Sequence, residues 1–452
     1  METDTNTGSI TYKFKNLSSK TITISSNKVI SLLKANKIQV WNLKLDNDKI
    51  IFKEPYNFSN LISKALAIGA DVILTDCGHK CYVLCSVQSN IIIVPDDVTD
   101  IGREKFCKYR GNIKIIGGYN LKFLSGIFES CEINHLDLTD FYTPNATLMD
   151  LTFAYSKIDS IDFGALDTSS VTTMMGTFTK TAIKDLDLST FDFSNVMHGA
   201  YMFCDSIINN LNLANADMRN ITDMSNMFSG AEIGTLNLSN VQTEAVTNMM
   251  SMFSSTKIPE IDLSSFKTPN LTACSAMFFA SRAKKIDIDS LDTSNVVDMR
   301  DMFNACKAEE IDLSNFKTSN VTDMSGMFSD CETKQLDLRS FDTSSVLSME
   351  NMFNACELLK LDLSTFNTSN VTSMNFMFNN ICIDELDLHN FDIQKVDSMR
   401  CMFSGSRIKK LDISNFKLHT NNSIELNNIF INCKINDISV TDSTLQRLFN
   451  HR

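Results

Sequence analysis

Four residues near position 80, Cys77, His79, Cys81 and Cys85, have side chains that bind transition metals. Structural zinc sites usually combine two ligands on a tight turn with a second pair elsewhere. The sequence contains no clear second pair, and Cys81 and Cys85 fall on one face of a predicted strand. Core cysteines are therefore favoured over the alternative of a zinc or redox site, and we expect no metal and no cofactor.

Catalytic motifs are missing from the sequence. It contains no phosphate-binding loop, no dinucleotide fingerprint, no His-Glu-x-x-His and no Gly-x-Ser-x-Gly, and its six histidines are scattered. We therefore expect no catalytic residues and a protein that is not an enzyme. Chemistry confined to residues 1–90 is a distant alternative.

Phenylalanine recurs every 25 residues from Phe128 to Phe403, and once more at Phe430 after a two-residue insertion. A spacing this constant predicts a solenoid, in which coils of equal length contact only their neighbours. The repeated phenylalanine should lie in the core of each coil.

One coil, residues 308–332, shows the predicted local structure. Ile311 and Leu313 alternate with Asp312, which predicts a short strand with one buried face. A turn at residues 318–320 is followed by Thr322, which would cap a short helix. The helix face would comprise, at the spacing i, i+3, i+4 and i+7, Met324, Met327, Phe328 and Cys331. The fold class predicted is an α/β repeat solenoid, with one parallel strand and one short helix in each coil.

The 25-residue phase divides the chain into four parts. Residues 1–90 lack it and predict a small N-terminal α+β domain, with a hairpin around residues 46–48 and a helix over residues 57–70. Residues 91–132 are transition and capping coils, residues 133–434 are a twelve-coil solenoid, and residues 435–452 are a C-terminal cap with a short amphipathic helix.

The repeats resemble those of BspA-like leucine-rich-repeat surface proteins. The resemblance rests on DLSNFKTSNVTDMSGMF from Asp312 and LDLSTFNTSNVTSMNFMF from Leu361, and it extends over roughly residues 91–440. It implies a leucine-rich-repeat-like solenoid, a role in adhesion or protein recognition, and no catalysis. Many members of that family carry an export signal or a surface anchor, and none is visible in this sequence.

Aspartates recur between the two buried residues of the predicted strands, so they should point outward. Two interpretations stay open: a local hydrogen-bonding role repeated by duplication, or an acidic stripe for a basic partner or divalent cations. The candidate binding residues in this ladder are Asp262, Asp287, Asp312, Asp337, Asp362 and Asp387. The outward residue two positions earlier varies from coil to coil, as a recognition surface requires, and adds Lys285, Glu310, Gln335, Lys360 and Glu385.

Two other repeated positions are predicted to be structural. Cys306, Cys331 and Cys356 share a phase that serine, threonine and alanine fill in other coils, which indicates a small buried slot. Turn asparagines are expected to hydrogen-bond to backbone rather than carry glycans, and they are Asn195, Asn220, Asn270, Asn295, Asn320 and Asn370.

Composition limits the partners. The net charge is −13 and the pI is about 5.0, which argues against a nucleic acid as partner because phosphate binding needs a cationic patch. No apolar run is long enough for a membrane span. Thirteen dispersed cysteines and the absence of a secretory signal favour the reducing cytoplasm, whereas the family resemblance leaves the cell surface as the alternative.

The sequence therefore predicts non-catalytic protein–protein recognition or adhesion through the outward face of the solenoid, with an unidentified protein partner. The alternative is a structural or spacer component of a larger assembly, such as a shell, fibre or surface matrix, for which self-association would be expected.

Overall fold

The computed structural model describes residues 110–451 apart from 165 and 419–423, residues 90–94, 98–104 and 106–107, and short strand segments before residue 86. The chain divides into two compact units. The first consists of Met1–Thr172 and Thr181–Lys184, and the second of Thr173–Lys180 and Asp185–Arg452.

The first unit begins with antiparallel strands and continues with parallel ones. Its strands are β1 (Glu2–Asp4), β2 (Ser9–Tyr12), β3 (Ile22–Ser25), β4 (Lys44–Asp46), β5 (Lys49–Ile51), β6 (Thr75–Asp76), β7 (Tyr82–Cys85), β8 (Asn90–Val94), β9 (Asn112–Gly117), β10 (Glu132–Phe141), β11 (Lys157–Asp162) and the start of β12 (Ala182–Asp187). Antiparallel pairing joins β1–β2–β3, β4–β5 and β6–β7–β8. Parallel pairing joins β8 through β11 and then the first residues of β12. The helix predicted over residues 57–70 lies outside the described residues.

The second unit is a stack of parallel strands, one from each coil except that of residues 308–332, where Glu310 forms a single bridge to Lys285 in place of the predicted strand. The strands are the end of β12, then β13 (Ile207–Asn212), β14 (Glu232–Asn237), β15 (Glu260–Asp262), β16 (Lys285–Asp287), β17 (Gln335–Leu336), β18 (Lys360–Leu361), β19 (Cys382–Asp387), β20 (Arg407–Asp412) and β21 (Lys434–Ser439). Paired residues are 25 apart, as in Asp262↔Asp287 and Glu385↔Lys410. Each unit therefore contains parallel β-solenoid coils of 25 residues.

The short helix predicted in every coil is wrong. Residues 325–330 form turns, and in the described part of the chain the one helix is α1 (Ser443–Asn450) in the C-terminal cap. Two residues in each coil have left-handed backbone, as at Gly326 (φ 66°) and Asp330 (φ 52°), and a helix cannot pass through them. The fold is thus a β-solenoid and not the α/β solenoid expected from the spacing.

Consecutive tight turns produce the spacing that imitates a helix. Met327 N–H donates to the Met324 carbonyl at 3.2 Å, and Cys331 N–H donates to the Phe328 carbonyl at 3.1 Å. Buried residues therefore recur at three- and four-residue intervals without helical hydrogen bonds. Thr322 does not cap a helix, because its hydroxyl donates to the Val297 carbonyl of the preceding coil at 3.3 Å.

The core contains the residues that the repeat predicts. Every repeated phenylalanine from Phe128 to Phe430 is at most 2% exposed, and Met324 and Met327 are fully buried. In the second unit the rings stack from Phe178 to Phe430, with neighbouring centroids 5.2–5.9 Å apart and nearly parallel planes. That separation is favourable for aromatic pairs, so the ring stack adds to the burial of each coil.

The C-terminal helix closes this stack as the sequence predicts. Asp442 caps it by accepting from the N–H groups of Thr444 and Leu445, and its buried residues are Leu445 and Phe449. The Phe449 ring meets Phe430 edge-on at 5.5 Å, which covers the last ring of the stack.

Phe328→Ala should lower the free energy of unfolding by about 3–5 kcal/mol, because it leaves a large cavity in a packed interior. Chemical denaturation followed by circular dichroism measures this. Phe279→Ala is the matched control, because Phe279 lies in the second unit and is 36% exposed. A cost below about 1 kcal/mol for Phe328→Ala, or equal costs for the two variants, would contradict the inward assignment.

Candidate binding surface on the strand face

The outward side chains of the strands in the second unit form parallel stacks. The aspartate ladder, as predicted, points outward, and all of its six candidate members are exposed except Asp287, which is half-buried. The variable residues form a second stack, named here the outer stack, which contains Glu260, Lys285, Glu310, Gln335, Lys360, Glu385 and Lys410. All seven are exposed, so the structure brings the candidate residues onto one face of their strands.

Each ladder aspartate closes the turn that follows its strand. One carboxylate oxygen accepts the N–H two residues later, at 2.9 Å from Asp262 to Ser264, 2.9 Å from Asp312 to Ser314 and 3.0 Å from Asp362 to Ser364. The other three candidates make the same bond, at 3.0–3.3 Å, and they are Asp287, Asp337 and Asp387. This is the side-chain-to-backbone turn that aspartate favours. The local hydrogen-bonding role is confirmed, and the acidic stripe stays a prediction.

These hydrogen bonds hold the carboxylates in their ionised form. The Ser314 backbone N–H and hydroxyl hold the pKa of Asp312 below its usual value. The Arg339 side chain and N–H lower the pKa of Asp337 to about 2. Asp289 lies beside the ladder and shows the opposing effect, because burial and the charges of Asp287 and Asp312 raise its pKa.

Asparagine replaces aspartate at two ladder positions and makes the same turn hydrogen bond. Asn212 accepts the Ala214 N–H at 3.2 Å, and Asn237 accepts the Ser239 N–H at 3.1 Å. Asn237 also donates from its amide nitrogen to Asn212 at 3.0 Å, across the coils. An amide therefore keeps the turn bond and adds a bond to its neighbour without charge.

Charges of opposite sign alternate across neighbouring coils of this face. Glu260 pairs in register with Lys285, which is bridged to Glu310, and Lys410 contacts Glu385 at 2.7 Å. Further ion pairs join Lys334 to Glu357 at 2.6 Å, Lys307 to Glu332 at 3.2 Å and Lys409 to Asp384 at 2.7 Å. These pairs were not among the predicted site residues, because a strict two-residue alternation would place residues 307, 309, 332 and 334 on the inward side with Ile311 and Leu336.

The same face contains a cavity of about 570 Å³ where the paired strands are shortest. Its charged lining residues are Lys284, Lys307, Glu309, Asp330, Glu332, Lys334 and Glu357. Lys284 lies 3.4 Å from Glu332 and 3.9 Å from Glu309, so cations and carboxylates face each other around the opening. Because each exposed pair is worth little energetically, a partner's charged groups can replace these contacts at low cost.

The turn asparagines bond to the backbone of the preceding coil, as predicted. The amide nitrogens donate to carbonyl oxygens at 2.7–2.9 Å from Asn220, Asn270, Asn295, Asn320 and Asn370. The ladder that they form satisfies backbone groups which the turns leave without a strand partner.

Cysteines serve as small core side chains in the coils. Cys306, Cys331 and Cys356 are buried, and burial raises the pKa of Cys306 and of Cys356 to about 12. The ten described cysteines from Cys107 to Cys433 are free thiols, and the described residues contain no group of three potential metal ligands. Of the metal-ligand candidates, Cys85 lies in β7, whereas Cys77, His79 and Cys81 lie outside the described residues.

Thiol titration should return close to thirteen free thiols in denaturant without reductant, and far fewer in the folded protein because the core thiols are buried and protonated. A reduced sample treated identically is the control. A denatured count near one would refute both the free-thiol assignment and the expected reducing compartment.

The triple variant Asp312→Asn, Asp337→Asn, Asp362→Asn should have equal or slightly lower stability at neutral pH, because the amide keeps each turn bond but loses its charge-assisted part. A carboxylate whose pKa is lower in the folded protein stabilises the fold at pH values above 3.8, its usual pKa. This stabilisation is lost as the pH falls towards about 2, the pKa of Asp337 in the fold. Urea unfolding at several pH values should therefore show that the variants converge in acid.

Asp289→Asn is the control with the opposite sign. Its raised pKa means that ionisation of Asp289 destabilises the fold, so this variant should keep or gain stability at neutral pH. A triple variant that is clearly more stable than wild type at low salt would favour an acidic stripe kept for a partner.

One family model matches this chain, and it is described as a Mycoplasma protein of unknown function, DUF285. The matches cover residues 122–239, 205–308, 272–382 and 322–442, so they span most of the coils. No curated protein and no solved structure matches the chain. No helix in the described part of the chain is long and apolar enough to cross a membrane.

Proposed function

Since the chain belongs to the DUF285 family, we propose a function from its own surface: non-catalytic recognition of a protein, or adhesion to one, through the strand face of the second unit. The resemblance to BspA-like surface proteins supports such a role. The dispersed cysteines favour a reducing compartment, the cell surface is the alternative, and we propose no catalytic step.

The contrast between inward and outward positions carries this proposal. Along the strands, the inward residue is always isoleucine or leucine, as at Ile286, Ile311 and Leu336. The adjacent outer stack contains glutamate, lysine and glutamine in a changing order. Side chains that differ from coil to coil on an invariant backbone give a surface whose chemistry is set residue by residue, as recognition requires.

Mixed charge favours a protein as the partner. Cationic side chains such as Lys307, Lys334 and Lys410 each lie within 3.2 Å of a carboxylate, so the face has no continuous basic track for phosphates. A protein surface that presents both signs can match the alternation, and such matching determines specificity more than affinity.

Charge reversal on the strand face tests the proposal. Lys285→Glu with Lys360→Glu should abolish capture of any partner that the intact chain retains from a cell extract, because it reverses the charge that the strand face presents to the partner at two positions. The matched control is Lys267→Glu with Lys317→Glu, which makes the same change in net charge at two exposed turn positions of the same unit.

Capture that is lost only in the strand-face variant supports the proposal. Equal capture by both variants, or equal loss, would exclude the strand face as the binding surface. The alternative function, a structural or spacer component, predicts that neither variant changes capture.

A further inference from the structure

A second outward surface lies on turns rather than strands and is mostly uncharged, unlike the strand face. It lies on the turn segment that follows the asparagine ladder and is named here the turn stripe. Its nine successive members in the second unit are Met197, Thr222, Thr247, Thr272, Val297, Thr322, Leu347, Thr372 and Asp397. The three large apolar members, Met197, Val297 and Leu347, are 46–50% exposed, and only the last of the nine is charged.

The threonines of the stripe already use their hydroxyl protons within the stack. Thr247 and Thr272 each donate to the backbone carbonyl of the preceding stripe residue at 3.1 Å, and Thr372 donates to the Leu347 carbonyl at 3.2 Å. The hydroxyl protons of these threonines therefore need no acceptor from a partner. In a chain with a net charge of −13, an exposed line of this kind is suited to contact with another surface of low polarity.

The order of residues along the stripe is nearly symmetric about Thr322. One coil away on either side lie Val297 and Leu347, the two apolar residues, and two coils away lie Thr272 and Thr372. A two-fold axis through Thr322, in the contact plane and perpendicular to the stack, would reverse the coil order. Val297 of each chain would then contact Leu347 of the other, so the same contact would occur twice, as an isologous interface requires.

We propose that the turn stripe is the contact surface between two antiparallel copies of this chain. The occupant is a second copy because one pair of flanking charges obeys the same symmetry. Three residues after Val297 and Leu347 come Arg300 and Glu350, which the two-fold axis through Thr322 places opposite each other. The stripe thus combines matched apolar residues at its centre with opposite charges at its side.

Both charged groups have atoms left for this contact. Arg300 binds Asp298 through Nε at 3.0 Å and Nη2 at 2.7 Å, and its Nη1 has no acceptor among the described residues. Glu350 accepts bonds from Ser373 and Asn375 at Oε1, whereas no described residue donates to its Oε2. One guanidinium nitrogen and one carboxylate oxygen therefore stay available in each copy.

The overlap determines how strong the dimer can be. It runs from Thr247, opposite Asp397, through six steps of about 4.8 Å, which gives a contact roughly 29 Å long. Such a narrow contact lies at the small end of specific interfaces, so we expect a weak, reversible dimer. This surface lies apart from the strand face, and the inference does not rest on the proposed recognition function.

Sedimentation velocity of the full chain over a concentration series tests the dimer. Leu347→Glu should raise the dimer dissociation constant at least about tenfold, because it buries two charges in the apolar centre. The matched control is Leu359→Glu, which alters an equally large residue that is 68% exposed on the strand face. A wild-type chain that stays monomeric, or equal effects of the two changes, would overturn the proposal.

A charge exchange tests the antiparallel register. Arg300→Glu and Glu350→Arg should each weaken the dimer, since each places like charges opposite one another twice. The double variant restores opposite charges and should recover most of the affinity. If the double variant is as weak as the single variants, copies do not meet with Arg300 opposite Glu350.

The two proposals can fail separately. The strand-face variant Lys285→Glu with Lys360→Glu should dimerise normally, and Leu347→Glu should retain partner capture. Loss of dimerisation in the strand-face variant would place the self-contact on the strand face and contradict the assignment to the turn stripe.

Discussion

Backbone hydrogen bonds between coils continue through the turns as well as along the strands. The N–H groups of Met324, Gly326 and Phe328 donate to carbonyl groups of the next coil, at residues 348, 350 and 352, over 2.7–3.1 Å. Because these inter-coil bonds recur at alternate residues of successive turns, equivalent residues of neighbouring coils must stay in register. An insertion within the paired turns would misalign the rest of that coil, which explains the constant 25-residue spacing from Phe128 to Phe403. The two-residue insertion before Phe430 leaves that ring stacked on Phe403.

Because the coils are equal in length, similar residues stack on one another from coil to coil. Whether this stabilises the fold depends on whether the residues are buried. In the interior it is favourable: the phenylalanine rings stack, and the buried Thr318 hydroxyl both donates to the Asp342 carbonyl and accepts its N–H at 2.9 Å. On the surface the same rule would stack identical charges. The aspartate ladder tolerates this because each carboxylate accepts a turn N–H, and the outer stack avoids it by alternating lysine with glutamate.

Sequence periodicity determines which residues face inward, but not how the backbone between them turns. The inward residues Ile311, Met324 and Phe328 could be predicted because burial depends only on spacing. The helix could not be excluded, since successive tight turns give the same three- and four-residue intervals. Glycine, asparagine or aspartate occupies the two left-handed positions in some coils, for example at Asn226, Gly326 and Asp330, but residues such as Ala276 and Phe376 occupy them in others, so the signal against a helix was only partial.

For the candidate site residues too, the sequence pattern predicts which side chains face outward, whereas their contacts depend on how neighbouring coils align. Alternation along the strand places Lys285 and Glu310 outward, yet their ionic neighbours become visible only when the register of adjacent coils is known. The turn stripe follows from that register too, because its symmetry involves residues 50 positions apart in sequence, Val297 and Leu347. The strand face and the turn stripe use different segments of one coil. Exposed side chains on either surface can be substituted without changing the shared backbone pairing, so the proposed recognition and the proposed self-association could vary independently.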